Sequence, residues 1–319
     1  MRSIILSSLI CCVAGIPVGA YAEKEPIGRW RYTQDAKTVK VITIAGSIGA
    51  WPAGSFSQFL GEVCANAEII NRSKTGYGAR ALKHRFRQQL LRNRRVHLSD
   101  DRFEYWLLYA GGLNSIGTPG MTIKYQVETF RLAHQHGVKV VGLSLGPWGD
   151  ERDRRWAGLA GLKYHRSTRK VVDFIMGRLP RNEALEGYVP KEERYLPKWK
   201  PGELPNISVD IYDSPLRDTG AALRSIAYLT RRYRRSWKLK RRFPNESQIV
   251  QEAAEIPRWY LRTDLRSFDH IHPNSEGHRQ IARTACASLP MNWQCDCSVL
   301  EHLRWVRGEG ITTNTRNVK

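Results

Sequence analysis

Five short apolar runs, each closed by a turn of small or polar residues, constrain this chain more than any other feature. Val39–Ala45 is bounded by turn residues, as a strand buried in a parallel sheet should be. Ala67–Asn71 and residues 103–110, 138–145 and 207–212 read as further strands. Stretches with helical spacing separate them: 55–66, 78–93, 122–136 stopping at Gly137, and 154–176. A further helix is expected from about Ser275 to Ala287. Strands alternating with helices predict an α/β fold with one parallel sheet covered on both faces. Crossovers in such a sheet are right-handed, and ligands bind beyond the carboxyl ends of the strands.

Around this frame the chain divides by composition. With 319 residues and 41% apolar content it can fill one full core, taken as 39–289. Residues 1–22 have a basic start, a short apolar core and Ala20-Tyr21-Ala22, the pattern of a cleaved signal peptide. They predict a secreted or periplasmic protein. Residues 23–38 are a polar lead-in. Residues 179–205 are an excursion rich in Pro and charge. A basic helical insertion is expected over about 219–265, with residues 231–242 its most basic part. A C-terminal extension, 290–319, carries Trp293 and Trp305, and its polar end over 312–319 is expected to fray.

Export implies an oxidising compartment, and four cysteines follow the leader: Cys64, Cys286, Cys295 and Cys297. Three pairings are open to them. Cys295 and Cys297 are too few and too poorly spaced for a metal site, and neither metal nor cofactor is expected. The formal charge of +21, from 51 Lys and Arg against 30 Asp and Glu, draws the chain towards polyanions. For an exported protein these are anionic envelope polymers or a membrane surface, and no specific nucleic acid is expected. The glycines lack the spacing of a phosphate loop.

The most chemical stretch is Asp269-His270-Ile271-His272-Pro273-Asn274, followed by Gly277. An Asp three residues before a His can hold the imidazole in one tautomer, leaving the other nitrogen free to take a proton. The Pro fixes its own φ and keeps the His on a turn rather than in a helix. Alone, the stretch would also read as a loop with a helix cap at Asn274. Upstream, however, β-type runs end in Gly46-Ser47, in Asn71 followed by Gly76, and in Gly112-Leu113-Asn114.

Blocks carrying Ser, Gly, Asn and Asp/His in that order resemble the SGNH (GDSL-type) hydrolases, from about Val39 to about Ala287. The resemblance implies a flavodoxin-like three-layer α/β/α sandwich with a five-stranded parallel sheet in the order 2-1-3-4-5. It also implies a serine esterase working through an acyl-enzyme. Ser47 would be the nucleophile, His272 the base and Asp269 its support. The Ser47 and Gly76 backbone N–H groups and the Asn114 amide would form the oxyanion hole. Gly78 is a weaker alternative to Gly76, and His270 competes with His272 but lacks the same Asp and Pro neighbours. His278 reads as a surface helix residue. Trp148 is a candidate wall of the substrate pocket or a packing residue. The family's usual Gly-Asp-Ser is Ala45-Gly46-Ser47 here, which removes an Asp that normally organises the loop but no member of the triad. Charge, export and abundant Trp tilt the expected substrate towards acetylated polysaccharide. A lipase or lysophospholipase, or a non-catalytic polyanion-binding protein that kept the fold, are the alternatives.

Overall fold

The computed structural model describes residues 28–313. The signal-peptide reading of 1–22, the start of the lead-in and the last six residues lie outside the described residues.

In chain order the elements are β1 (Val39–Ala45), α1 (Phe56–Val63), β2 (Ala67–Asn71), α2 (Ala79–Phe86), β3 (Glu104–Ala110), α3 (Pro119–Gln135), β4 (Lys139–Leu143), α4 (Ala160–Ile175) and α5 (Arg181–Ala184). There follow β5 (Ile207–Val209), α6 (Ile226–Arg234), α7 (Trp237–Arg242), α8 (Glu246–Ala254), α9 (Ser275–Cys286), β6 (Leu303–Val306) and β7 (Gly310–Thr313). The first five strands form one parallel sheet in the order β2-β1-β3-β4-β5, the expected order. β1 is buried along its whole length, as an apolar central strand should be.

Because strand side chains alternate, β1 feeds both layers. Ile42 and Ile44 pack with Leu107, Tyr109 and Val140 under α2, α3 and α4, where Leu82, Phe86, Phe130 and Phe174 are buried. Val39 and Val41 pack with Leu108 and Val141 under α1 and α9, where Phe56, Phe59 and Ile281 are buried. The result is a three-layer α/β/α sandwich. Lys40 and Glu68 pair at 2.9 Å on neighbouring strands, both buried, and the Thr33 N–H of the lead-in also donates to Glu68, at 2.7 Å.

Several boundaries move for local reasons. α3 begins at Pro119, which suits a first helical position because its missing N–H would be unpaired there. α4 begins at Ala160, not 154. The residues before it fold into turns in which Asp150 and Asp153 each bind the Arg two positions on, Arg152 and Arg155. β5 stops at Val209, and the Ser144 hydroxyl then accepts the N–H groups of Ile211 and Tyr212. The basic region folds as α6, α7 and α8.

The tail departs furthest from expectation. Two disulfides, Cys64–Cys295 and Cys286–Cys297, tie it to α1 and α9. Trp293 is fully buried, edge-on to Trp106. Residues 312 and 313 belong to the β6–β7 hairpin rather than to a frayed end. The rest of that end lies outside the described residues.

Candidate active site

Strands β1 and β3 end level, Ala45 opposite Ala110, so the loops that follow them leave the same edge side by side. After Ala45 the chain turns at once through Gly46-Ser47, and the Ala50 N–H donates to the Gly46 carbonyl at 3.0 Å. Gly49 is required by packing: a Cβ there would lie 2.4 Å from the Ala45 Cβ and 2.5 Å from Ser73 Oγ. Asn71, the last residue of β2, donates its Nδ2 to the Gly49 carbonyl at 2.7 Å, and its Oδ1 accepts the Ser73 N–H at 3.0 Å. One amide thus ties the Ser47 turn to the loop after β2. Asn71 in this way organises the turn. The sequence marks Asn71 only as the end of a strand and gives no sign of this role.

The opposing half of the site is a turn before α9. Asp269 Oδ1 accepts the N–H groups of Ile271 and His272, at 3.0 and 2.9 Å, and the Ser267 hydroxyl at 2.7 Å. His270 takes a φ of 61°, a left-handed geometry that sharpens the turn. Asn274 caps α9 by accepting the Gly277 N–H at 2.9 Å. Gly277 allows close approach, since a Cβ there would lie 2.4 Å from the Leu265 carbonyl oxygen. The Asn274 cap and the triad-like turn therefore coexist.

On this support, His272 Nδ1 lies 2.5 Å from Asp269 Oδ2, and His272 Nε2 lies 2.7 Å from Ser47 Oγ. The carboxylate acceptor places the proton on Nδ1, which leaves Nε2 as the acceptor for the Ser47 hydroxyl. Partial burial alone would raise the Asp269 pKa. The hydrogen bonds from the His272 backbone and ring, Ser267 and Ile271 outweigh it and hold the carboxyl well below the usual range. Asp269 is therefore an anion that can orient and stabilise an imidazolium.

Asn114 follows β3, and Gly112 before it takes a φ of 122° that favours glycine. The Asn114 amide nitrogen donates to the Tyr77 carbonyl at 3.3 Å and would lie only 3.2 Å from a Cβ on Gly46. Gly76 is exposed, has a φ of 80° and directly precedes Tyr77, which lines the cavity beside Ser47. Gly76 itself does not line it. Gly78 starts α2 and packs against Ser115. The structure thus gathers Ser47, Asn114, Asp269 and His272, with Gly76 one residue outside.

The cavity beside Ser47 has a volume of about 40 Å³. Its walls are mainly apolar and include Ile48, Leu145, Ile211, Leu216 and Ile271. Trp148 belongs to this wall from behind: it is buried, packs edge-on to Trp156 and donates its indole N–H to Thr168 Oγ1 at 2.9 Å.

His278 departs from expectation. It is fully buried, and its ring stacks on Trp51 at 5.7 Å, while Trp51 also stacks on His272 at 5.8 Å. Burial, with His272 nearby, pushes the His278 pKa down to about 3, so the ring is neutral. Neither ring nitrogen has a hydrogen-bond partner among the described residues. His270 faces outward, with its Nδ1 3.3 Å from an Arg152 nitrogen.

A flavodoxin-like sheet with Ser, His and Asp in bonding sequence at its carboxyl edge defines the class of architecture. No family model matches the chain, and no curated protein matches it. Solved structures similar to it include a GDSL-like lipase from Bacteroides thetaiotaomicron, at 13% identity and a TM-score of 0.43, covering 80% of this chain and 88% of that one. Another is a member of the lipolytic G-D-S-L family from Veillonella parvula, at 13% identity and a TM-score of 0.42, covering 77% and 96%. A catalytic mutant of an acetylxylan esterase from Geobacillus stearothermophilus is similar at 12% identity and a TM-score of 0.39, covering 80% and 95%.

Proposed function

We propose that this chain is a serine esterase of the SGNH (GDSL) type that hydrolyses short-chain carboxylic esters, with acetylated carbohydrate as the substrate class. The observation that carries the reading is the unbroken line from Ser47 Oγ through both His272 nitrogens to Asp269. His272 Nε2 takes the Ser47 proton as Oγ attacks the ester carbonyl, and Asp269 stabilises the imidazolium. The imidazolium then protonates the departing alcohol, leaving an acyl-enzyme. Water, deprotonated by His272, releases the acid and restores Ser47. The Asn114 amide, whose nitrogen lies beside Gly46, donates to the tetrahedral oxyanion together with the Ser47 N–H.

The cavity supports a small acyl group. It is narrow, with about 40 Å³ open to water-sized groups, and its walls beside Ser47 are mainly apolar. Two disulfides in the described residues are in keeping with an oxidising, extracytoplasmic location. The test compares p-nitrophenyl acetate with the octanoate for the wild type and Ser47→Ala, alongside labelling by a fluorophosphonate probe. Acetate turnover lost in the variant, with the label on Ser47, is the expected result. Label on another serine, or octanoate cleaved faster than acetate, would overturn the proposal.

A further inference from the structure

A groove of about 460 Å³ opens beyond His270 and runs to the start of α6. Arg152 stands at its near end, where it meets both the groove and the His270 ring, two residues from His272. Arg258, Arg224 and Tyr228 also line it, and Glu151 is the acidic residue in its wall. Glu151 pairs with Arg258, and Arg152 pairs with Asp150 at 2.5 Å.

Arg224 is different. It is 6% exposed, and its Nη1 donates to the Gly158 carbonyl at 2.6 Å. Its Nε and Nη2 reach no acceptor, and no carboxylate pairs with it among the described residues. Burial pushes its pKa down, against weak attraction from Tyr260 and Glu151. A guanidinium held out of water with a single neutral partner carries charge that its own chain leaves uncompensated.

Past Tyr228 the charge continues on the surface. Residues 231–242 hold eight Lys and Arg and no acid, all eight exposed. Arg234 pairs with Glu246 at 2.7 Å, and the other seven have no ion pair among the described residues. Trp237, 65% exposed, sits among them as a flat stacking face. The fold packs α6 against α8, and α8 against α4, so this basic surface is fixed to the domain that carries the site.

We infer that this groove and the α6–α7 surface form one binding track for an acidic glycan, which enters the active site past Arg152 with its carboxylates or other anionic groups along the arginines. The inference rests on the esterase reading and narrows its substrate to an acetylated polyanionic polysaccharide. A linear polymer matches a track that extends from a point site, and a sugar ring can stack on Trp237 while its carboxylate meets guanidinium groups.

Two measurements test this, the first of them independent of catalysis. The Ser47→Ala chain is titrated with polygalacturonate and with a neutral glucan of similar length, at low and at roughly 0.5 M salt. Binding to the polyuronate alone, lost at high salt, is expected. A triple variant, Arg231→Ser/Arg232→Ser/Arg235→Ser, and Arg224→Gln should each raise KM for an acetylated polyuronate about tenfold. Turnover of p-nitrophenyl acetate should be unchanged, since none of these residues touches the triad. Equal KM changes on acetylated neutral xylan, or no change on either polymer, would overturn the track. So would co-sedimentation with anionic lipid vesicles in the absence of polyuronate binding. Loss of p-nitrophenyl acetate turnover in Ser47→Ala is the separate test of the esterase, and polyuronate binding can fail while it holds.

Discussion

Lowering the pH should destabilise this protein through His278, a residue outside the proposed triad. The folded His278 pKa is about 3, against 6.5 for the free side chain. In the unfolded chain the ring takes up a proton below about 6.5, whereas the folded ring does not until about 3. The unfolded state therefore binds more protons throughout that window, so stability rises with pH and is lost as pH falls from about 6.5 towards 3. At pH 4.5 the two values give a loss of roughly 3 kcal/mol relative to pH 8, a large part of a typical 5–15 kcal/mol. His165, half-buried and pushed down to about 4, acts in the same direction, as do Asp150, held at about 2 by Arg152, and Asp269 in more acid solution. The effect of His278 is isolated by His278→Phe, which keeps a flat ring against Trp51 and Phe56. Urea unfolding followed by tryptophan fluorescence at about pH 8 and 4.5 gives the stability of both proteins. The wild type should lose roughly 3 kcal/mol more than the variant across that interval. If both lose the same amount, the ring is hydrated or paired when folded and the reasoning fails.

Two predictions concern the geometry of the reaction. Gly49→Ala places a Cβ 2.4 Å from that of Ala45, so the Ser47 turn must shift. A fall of at least about tenfold in kcat/KM on p-nitrophenyl acetate is expected, with a loss of about 1–3 kcal/mol in stability. A wild-type rate would show that the placement of Ser47 does not depend on this turn. Asn114→Ala should lower kcat about 10²–10³-fold with little change in KM, as expected for a donor that acts mainly in the transition state. Steady-state kinetics showing an unchanged kcat would remove Asn114 from the oxyanion role.

How much of this was legible follows from the kind of information each feature needs. The sheet was readable because each strand is a short apolar run closed by turn residues, and Val39–Ala45 and Ala67–Asn71 fall on their expected bounds. The pairing of Cys64 with Cys295, 231 residues apart, was not readable, because it depends on where the tail returns. Trp293 was not readable either, since residues 291, 293, 295, 297 and 299 alternate with polar ones as in a strand, whereas the chain folds there into short 3-10 turns. His278 is a different failure. Residues 278, 281, 282 and 285 are the buried stripe of α9, so helical spacing already placed 278 inward. Its residue type outweighed its position, although a neutral imidazole flanked by Trp51 and Phe56 packs as an aromatic ring.

The site shows the same division in sharper form. Ser47, Asn114, Asp269 and His272 were recognisable because each follows or forms a turn that chemistry restricts to few residue types. Asn71 was not, because its role exists only through strand order. It lies opposite Thr43, two residues before the end of β1, because β2 runs parallel beside β1. That register lets the β2 loop pass next to Gly49, where one side-chain amide spans both loops. Had β2 paired elsewhere, the same sequence would leave the Ser47 turn without this anchor. The residues of the proposed triad are thus marked locally, while the residue that ties their loops together is marked only by topology.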